Sequence, residues 1–367
     1  MRGGREWNAG TGEKHVLSDT PALRTPAEEP AAAWPICRMF SGRIVVDWGA
    51  IVGYNRPRMR DSVTFSVFAD LHWREGDWSS CEARLDAIVA RAVRERTEFV
   101  IHCGDFCHDV AAARGMIAKY AAAPLPAYHV MGNHEFECSD SLEEVLAAFS
   151  MPRNFYAFDV RGFRFVALDN NYHHGADGAL KHYADESVWA KCHQDEVALP
   201  PEQVSFLREA VATAPGPTCV FSHASFLFPP EGGGVANGRE VVDLVEKARA
   251  GRPVLFFNGH YHRNELVVRG GMAFFDVNSA SSLAWVDREH HAYPPDIMAK
   301  SPVSCHTFLN AEPLSALVRM TMDGHVEIEG MRGACFCDAD PEALGFDTRD
   351  KQGRKVDPNL LSASFSL

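Results

Sequence analysis

The feature that most constrains this chain is a succession of short apolar runs that stop on Asp, Asn or His. The runs are VTFSVFAD (63–70), EFVIHCGD (98–105), AYHVMGN (127–133), FRFVALDN (163–170), TCVFSH (218–223) and VLFFNGH (254–260). Each is rich in Val, Phe or Ile and short enough to be a buried strand. Helical patterns lie between many of them. Leu85, Ile88, Val89, Ala92 and Val93 recur at helical spacing within 80–96. Asp140 stands three residues before Glu143, a capping-box spacing that opens a helix ending near Phe149. Pro200 and Pro201 open a helix through Val204, Leu207 and Val211. Alternating strands and helices predict an α/β protein with layers around a sheet. After Gly259 the pattern changes to Glu265–Val268, Met272–Val277, Ala316–Met322 and Val326–Met331, the last two joined at Asp323–Gly324 as a hairpin. These predict a second, more antiparallel sheet, and so a two-sheet sandwich.

The run ends carry the chemistry. They read Asp70-Leu71-His72, Gly104-Asp105, Gly132-Asn133-His134-Glu135, Ser222-His223 and Gly259-His260-Tyr261-His262. Ligands of α/β sheets gather at the carboxyl ends of strands, so these residues are expected along one edge of one sheet. The set offers oxygen and imidazole donors without thiolate, which suits Mn, Fe or Zn. Any one fragment is a weak signal. The ordered set D-x-H, GD, GNHE, SH and GHxH at successive strand ends is a specific one.

With these motifs the chain resembles the calcineurin-like metallophosphoesterase family over roughly residues 63 to 280, and all five motif blocks of that family are present. The resemblance implies a four-layer α/β/β/α sandwich, two mixed sheets flanked by helices. It implies two metal ions, one held by Asp70, His72, Asp105 and His262, the other by Asp105, Asn133, His223 and His260, with Asp105 as the bridge. Two cations roughly 3.5–4 Å apart hold a bridging water and lower its pKa, and the hydroxide attacks phosphorus in line. In the family the residue matching His134 faces the substrate and stabilises or protonates the leaving group. Glu135 is a candidate outer partner for a histidine, or else an ordinary surface carboxylate. His108, in GDFCHD, stands where purple acid phosphatases carry an iron-bound Tyr, so no purple chromophore is expected. The same string is similar to a motif of double-strand-break repair nucleases in the superfamily. His108 is thus a candidate substrate contact, or a solvated loop residue. Asp169 and Asn170 end the fourth run near the site and are not assigned as ligands. His173, His174, His290 and His291 fall in the long connections 171–199 and 284–312, which read as lids or rims. Gly232–Gly234 lacks the Lys-Ser/Thr of a P-loop and reads as a flexible loop.

Composition bounds the remaining choices. Scattered Gly and Pro mark residues 1–60 as a weakly ordered leader in which only Arg43–Tyr54 is strand-like. The phosphoesterase domain is expected over 61–331 and an irregular tail over 332–367. A net charge of −13 argues against a broad nucleic-acid surface, although bound cations reverse the sign locally. The ten cysteines include no C-x-x-C pair, and several, such as Cys219, sit inside apolar runs. They read as small buried hydrophobes of a reducing compartment. There is no apolar stretch of about eighteen residues and no signal-peptide order, so a cytoplasmic protein without membrane contact is expected. The expected activity is hydrolysis of phosphomonoesters or small phosphodiesters, nucleotides included, with a small phosphorylated substrate as partner. A nuclease on the same site is the alternative. A catalytically inactive binding or scaffold protein is a third reading, and it would have lost ligands that are all present here.

Overall fold

A computed structural model of the chain describes residues 61–349, apart from 77, 140, 176, 186–196 and 228–233, then 356–367 and three short strands before residue 61. The expected leader therefore lies outside the described residues except for those strands. Two of them, Arg38–Phe40 and Arg43–Val45, pair with each other antiparallel within a separate unit, Ser18–Arg60. Everything described below belongs to the larger unit.

Twelve strands and the two-residue Lys14–His15 strand build two sheets. The twelve are β1 (Ser62–Phe68), β2 (Val100–His102), β3 (Ala127–His129), β4 (Tyr156–Val160), β5 (Phe163–Ala167), β6 (Thr218–Phe221), β7 (Val254–Asn258), β8 (Glu265–Arg269), β9 (Met272–Asp276), β10 (Ala316–Thr321), β11 (His325–Gly330) and β12 (Ala363–Ser366). The first sheet has the order β12-β11-β10-β1-β2-β3 and the second the order β8-β9-β7-β6-β5-β4, with the Lys14–His15 strand on the β8 edge. The first sheet is parallel along one half, through β1-β2-β3, and antiparallel along the other, through β1-β10-β11-β12. The second is parallel at its centre, through β5-β6-β7-β9, and antiparallel at its margins, through β8 and β4. This corrects the expectation that the late hairpins form an antiparallel sheet of their own. β7 is apolar on both faces and every residue of β1 except Thr64 is buried, so both strands lie inside a sheet, and the hairpins extend both sheets at their edges instead. Within the tail expected to be irregular, β12 pairs with β11.

The sheets face each other through odd-numbered residues of β1. Val63, Phe65 and Val67 join Phe165, Phe221, Phe257 and Phe275 in one buried cluster. Phe65 is its centre: it stacks on Phe99 at 5.1 Å and meets Phe165, Phe221 and Phe257 edge-on at 5.5, 5.9 and 5.6 Å. The outer faces carry the helices. Helix α1 (Cys81–Arg94) buries Leu85, Ile88 and Ala92 with Phe68 and Val100, while Val93 is exposed. Helices α4 (Pro201–Ala212) and α5 (Gly238–Ala248) bury Leu207, Val211, Val241 and Val245 with Val166, Val220 and Phe256. Pro201 opens α4 as its spacing predicts. Helices α2 (Arg114–Ala121) and α3 (Leu142–Ala148) complete the α/β/β/α layering. The cap of α3 is one residue later than expected: Ser141 accepts from the Glu144 N–H at 3.1 Å. Ser141 has the extended backbone a cap needs, so Ser141 is the cap of α3.

Cys81, Cys103, Cys107 and Cys219 are buried and free, and so are the other described cysteines free of disulfides. Among the described residues no helix is long and apolar enough to cross a membrane.

Candidate metal centre

The strands deliver their polar ends to one end of the sandwich, from both sheets rather than one. Asp70, His72, Asp105 and Asn133 follow β1, β2 and β3 of the first sheet. His223, His260 and His262 follow β6 and β7 of the second. The expectation of a single sheet edge is therefore corrected. The cause is the Phe65 cluster, which brings the carboxyl ends of the two parallel cores side by side.

Two donor sets converge there. In the first, His72 Nε2 stands 2.9 Å from His262 Nε2, 3.8 Å from Asp70 Oδ1 and 3.9 Å from Asp105 Oδ2. In the second, His223 Nε2 stands 3.0 Å from both Asp105 Oδ2 and Asn133 Oδ1 and 3.2 Å from His260 Nδ1. One oxygen, Asp105 Oδ2, belongs to both sets. Two imidazole nitrogens at 2.9 Å cannot both offer lone pairs to each other. Donors bonded to one ion at about 2.0–2.2 Å are naturally roughly 3 Å apart. The residues present thus fit a pair of cations, and their N/O chemistry without thiolate fits Mn, Fe or Zn.

The local backbone is bent to achieve this. Asp70, His72, Asp105, His260 and His262 all have left-handed φ, between 49° and 73°. Such a conformation costs a non-glycine residue of order 1–3 kcal/mol. Hydrogen bonds hold the bends. Asp70 N–H donates to the Gly104 carbonyl (3.0 Å), His72 N–H to that of Asp105 (2.9 Å), and His260 N–H to Asp70 Oδ1 (3.0 Å). Ser279 and Ser281 hydroxyls donate to the carbonyls of Asp70 (2.7 Å) and Leu71 (2.8 Å). Glycines beside two of the ligand positions are needed for space. A Cβ on Gly132 would lie 2.2 Å from Asp105 Oδ1, and one on Gly104 would lie 2.4 Å from His223 Nδ1.

The sequence model of the calcineurin-like phosphoesterase family matches residues 63–264, more than half of the chain. The chain belongs to that family. It is a metal-dependent phosphoric ester hydrolase. No curated protein sequence matches it. Similar solved structures include a dimetal phosphatase from Danio rerio, at 16% identity and TM-score 0.49, covering 75% of this chain and 98% of that one. Another is GAP50, the anchor in the inner membrane complex of Plasmodium, at 12% and 0.47, covering 84% and 89%. A third is the phosphopantetheinyl hydrolase of Mycobacterium tuberculosis, at 15% and 0.37, covering 60% and 91%.

Around the donors of this phosphoesterase, several side chains do other work than expected. Glu135 is fully buried, and its hydrogen bonds go to the backbone rather than to a histidine ring. Its carboxylate accepts four backbone N–H groups, those of Gly132 (2.6 Å), Asp105 (3.1 Å), Phe106 (2.5 Å) and Cys107 (3.3 Å). It therefore clamps the Asp105 turn to the Asn133 turn, which replaces both sequence readings of Glu135. Burial, with Asp105 nearby, lifts its carboxyl to about 7. His108 is buried, not solvated. Its Nε2 lies 3.0 Å from His72 Nδ1, and its Nδ1 is bonded to the Glu137 carboxylate. A carboxylate only accepts, so His108 Nδ1 carries a proton and Nε2 accepts from His72 Nδ1–H. That leaves the His72 Nε2 lone pair aimed at the first donor set. His223 is oriented likewise by the Cys103 carbonyl, 2.8 Å from Nδ1.

His134 lies between the donors and the opening. Its backbone N–H donates to Asp105 Oδ1 (2.8 Å), Nδ1 meets Glu137 Oε2 (2.8 Å), and Nε2 is 4.0 Å from Asp105 Oδ2. Burial opposes its charge, but Asp105 and Glu137 outweigh it and raise its pKa. Burial opposes the charge of His223 too, but Asp105, which it contacts directly, lifts it to about 10, whereas burial and the His223 charge depress His260 to about 3.

Sequence reasoning passed over Glu137 and Trp285. The signal for Glu137 is its place three after His134, on one face of the 3₁₀ turn His134–Phe136. Trp285 shows no local signal; its ring reaches the centre only in the fold, 6.0 Å from that of His72. Asp169 is not at the centre. It is buried and accepts from Asn154 (2.7 Å), His182 (2.9 Å) and Asn171 (2.7 Å), tying down the Tyr172–His182 hairpin. Asn170 donates to the Ala224 carbonyl (2.8 Å). His290 is not on a rim: it stacks on Phe308 at 4.2 Å and its Nε2 meets the Thr307 carbonyl at 3.1 Å. His173 is buried against Tyr183, while His174 and His291 are exposed. Gly232 and Gly233 lie outside the described residues.

Proposed function

We propose that this phosphoesterase binds two metal ions, Mn, Fe or Zn, and hydrolyses phosphomonoesters or small phosphodiesters. Asp70, His72, Asp105 and His262 hold one ion, and Asp105, Asn133, His223 and His260 hold the other. The observation that carries the reading is the position of Asp105 Oδ2, shared by two separate donor sets at 3.0 Å from His223 Nε2 and 3.9 Å from His72 Nε2. Two bound cations supply Lewis-acid charge and an activated water. The chain's own residues supply orientation and a proton. His134, kept protonated by Asp105 and Glu137, gives Nδ1–H to Glu137 and so turns Nε2–H towards the centre, where the imidazolium gives that proton to the departing alkoxide oxygen and is left neutral. Glu135 and the serines 279 and 281 keep the donor turns from relaxing. The acidic surface, −13 overall, favours small substrates over long polyanions.

The test is metal content and turnover together. Purified protein should hold about two transition-metal ions. Chelation should abolish hydrolysis, and Mn²⁺ should restore part of it. Asp105→Asn should lower both the metal content and kcat, the latter by more than about a hundredfold, since outer partners of a ligand already cost 10–100-fold. Near-normal turnover in Asp105→Asn with both ions bound would show that Asp105 is not the bridge.

A further inference from the structure

We infer that Trp285 is a stacking wall for a planar ring in the substrate, so that the esters preferred by this centre are those of nucleosides. The inference rests on the phosphoesterase reading above and extends it to a substrate class.

Four large apolar side chains are exposed among the described residues: Val93, Trp285, Met322 and Leu344. Trp285 is the aromatic one, and 42% of it is exposed. Its ring centroid lies 6.0 Å from the ring of His72, a proposed ligand, and 6.2 Å from that of His108. Both imidazoles meet it at steep angles, 76° and 65°, so neither is stacked on it. The Arg74 guanidinium carbon sits over the ring, 5.5 Å from its centroid, and covers one face. Arg74 is itself directed by Glu137, 3.9 Å from its Nη2. The indole thus has a cation over it and 42% of its surface exposed, with its centroid 6.0 Å from the ring of a proposed ligand.

The platform is rigid. Trp285 ends a strand, Ser282–Trp285, that pairs with Thr307–Leu309, Trp285 lying opposite Thr307. Leu283 and Phe308 bury this pair in a satellite core with Trp78 and Tyr293. Arg84 on α1 donates to the carbonyls of Ala280 (3.2 Å), Asn310 (2.5 Å) and Glu312 (3.0 Å), fastening both ends of the segment. An exposed indole fixed beside a strongly polar centre leaves apolar area in water, and a flat conjugated ring is the ligand that removes it. A base stacked on an aromatic side chain is worth about 1–3 kcal/mol, or roughly 5- to 150-fold in affinity. A ring-less sugar phosphate gains none of this.

The metal-loaded full chain and its Trp285→Ala and Trp285→Phe variants are compared on two substrate pairs. One pair is adenosine 5′-monophosphate and ribose 5-phosphate; the other is their methyl diesters. The wild-type ratio of kcat/KM, ring-bearing over ring-less, should exceed one for the class that is hydrolysed. Trp285→Ala should collapse that ratio by about 5- to 100-fold, mainly through KM, and Trp285→Phe should keep most of it. Adenosine, which carries no phosphate, is the second probe: calorimetry should show it binding wild-type protein and losing affinity by a similar factor in Trp285→Ala. An unchanged ratio in Trp285→Ala, or an unchanged adenosine affinity, would overturn the inference. If wild-type protein hydrolyses none of the four esters, the proposed function falls instead, and the adenosine titration still decides the role of Trp285.

Discussion

At the residue scale the centre is organised by two neighbouring glutamates with opposite tasks. Glu135 points inward and satisfies backbone N–H groups of both donor turns. Glu137 points towards the opening, where one carboxylate binds both His108 and His134. Through His108 it sets the tautomer of His72, and through Nδ1–H it orients the His134 ring and favours its protonated form. Glu137→Gln can still hydrogen-bond but no longer carries the charge that both imidazoles answer. We expect kcat to fall by about 10- to 100-fold while the fold is kept. The loss should be larger for an alkyl ester than for a nitrophenyl ester, because only the poor leaving group needs the proton from His134. Equal losses on the two esters would leave Glu137 a partner of His72 alone.

At the element scale, strands end in strain and helices end in caps. Five donor residues sit in left-handed turns directly after strands, a cost that the serine and backbone hydrogen bonds offset. Helix α3 follows the His134–Phe136 turn within a few residues and begins with the Ser141 cap. Removing it by Ser141→Ala should lower stability by about 1 kcal/mol, read from the urea midpoint with an unchanged slope. A midpoint equal to wild type would place the cap elsewhere. The expected cap, Asp140 with Glu143, and the observed one, Ser141 accepting from the Glu144 N–H, differ by one residue. Both are capping patterns on paper, and only the extended backbone at Ser141 separates them.

At the scale of the whole molecule, the first sheet encloses a pair of histidines that have no catalytic contact. His102 and His129 stack at 5.0 Å with their Nδ1 atoms 3.2 Å apart, and the Nε2 of each is buried without a hydrogen-bond partner. Burial, and for each a neighbouring histidine, holds His129 at about 3 and His102 well below its ordinary value. In the unfolded chain both titrate near about 6.5. Between those limits the unfolded state binds more protons, so stability is full above about pH 6.5 and is lost as pH falls. Each buried histidine contributes a slope of up to about 1.4 kcal/mol per pH unit. His129→Phe keeps the stack on Phe149, 3.9 Å away, and removes one of the two titrating groups. Its unfolding free energy should be lower at pH 7 and should fall less steeply from pH 6.5 to 5 than that of wild type. Parallel curves would show that His129 is already charged in the native protein.

Ten of the twelve labelled strands, and the polar residues that end the parallel ones, were legible in the linear chain, because buried strands are local apolar runs; β4 and β12, at the margins of the sheets, carry too little apolar pattern to stand out. Gly104, Gly132, Asp105 and Asn133 announce themselves by adjacency alone. What only the tertiary structure decided was which runs share a sheet and what each polar side chain meets. β1 and β7 read alike as apolar segments, yet they lie in different sheets, joined by the packing of Phe65 against Phe257. Glu135 and His108 both stand within a few residues of donors. Their tasks depend on backbone groups and rings about thirty residues distant, a separation at which sequence spacing no longer fixes direction. Trp285 is more than two hundred residues from His72 along the chain. Only the stacking of two sheets and the clamp of Arg84 bring them side by side.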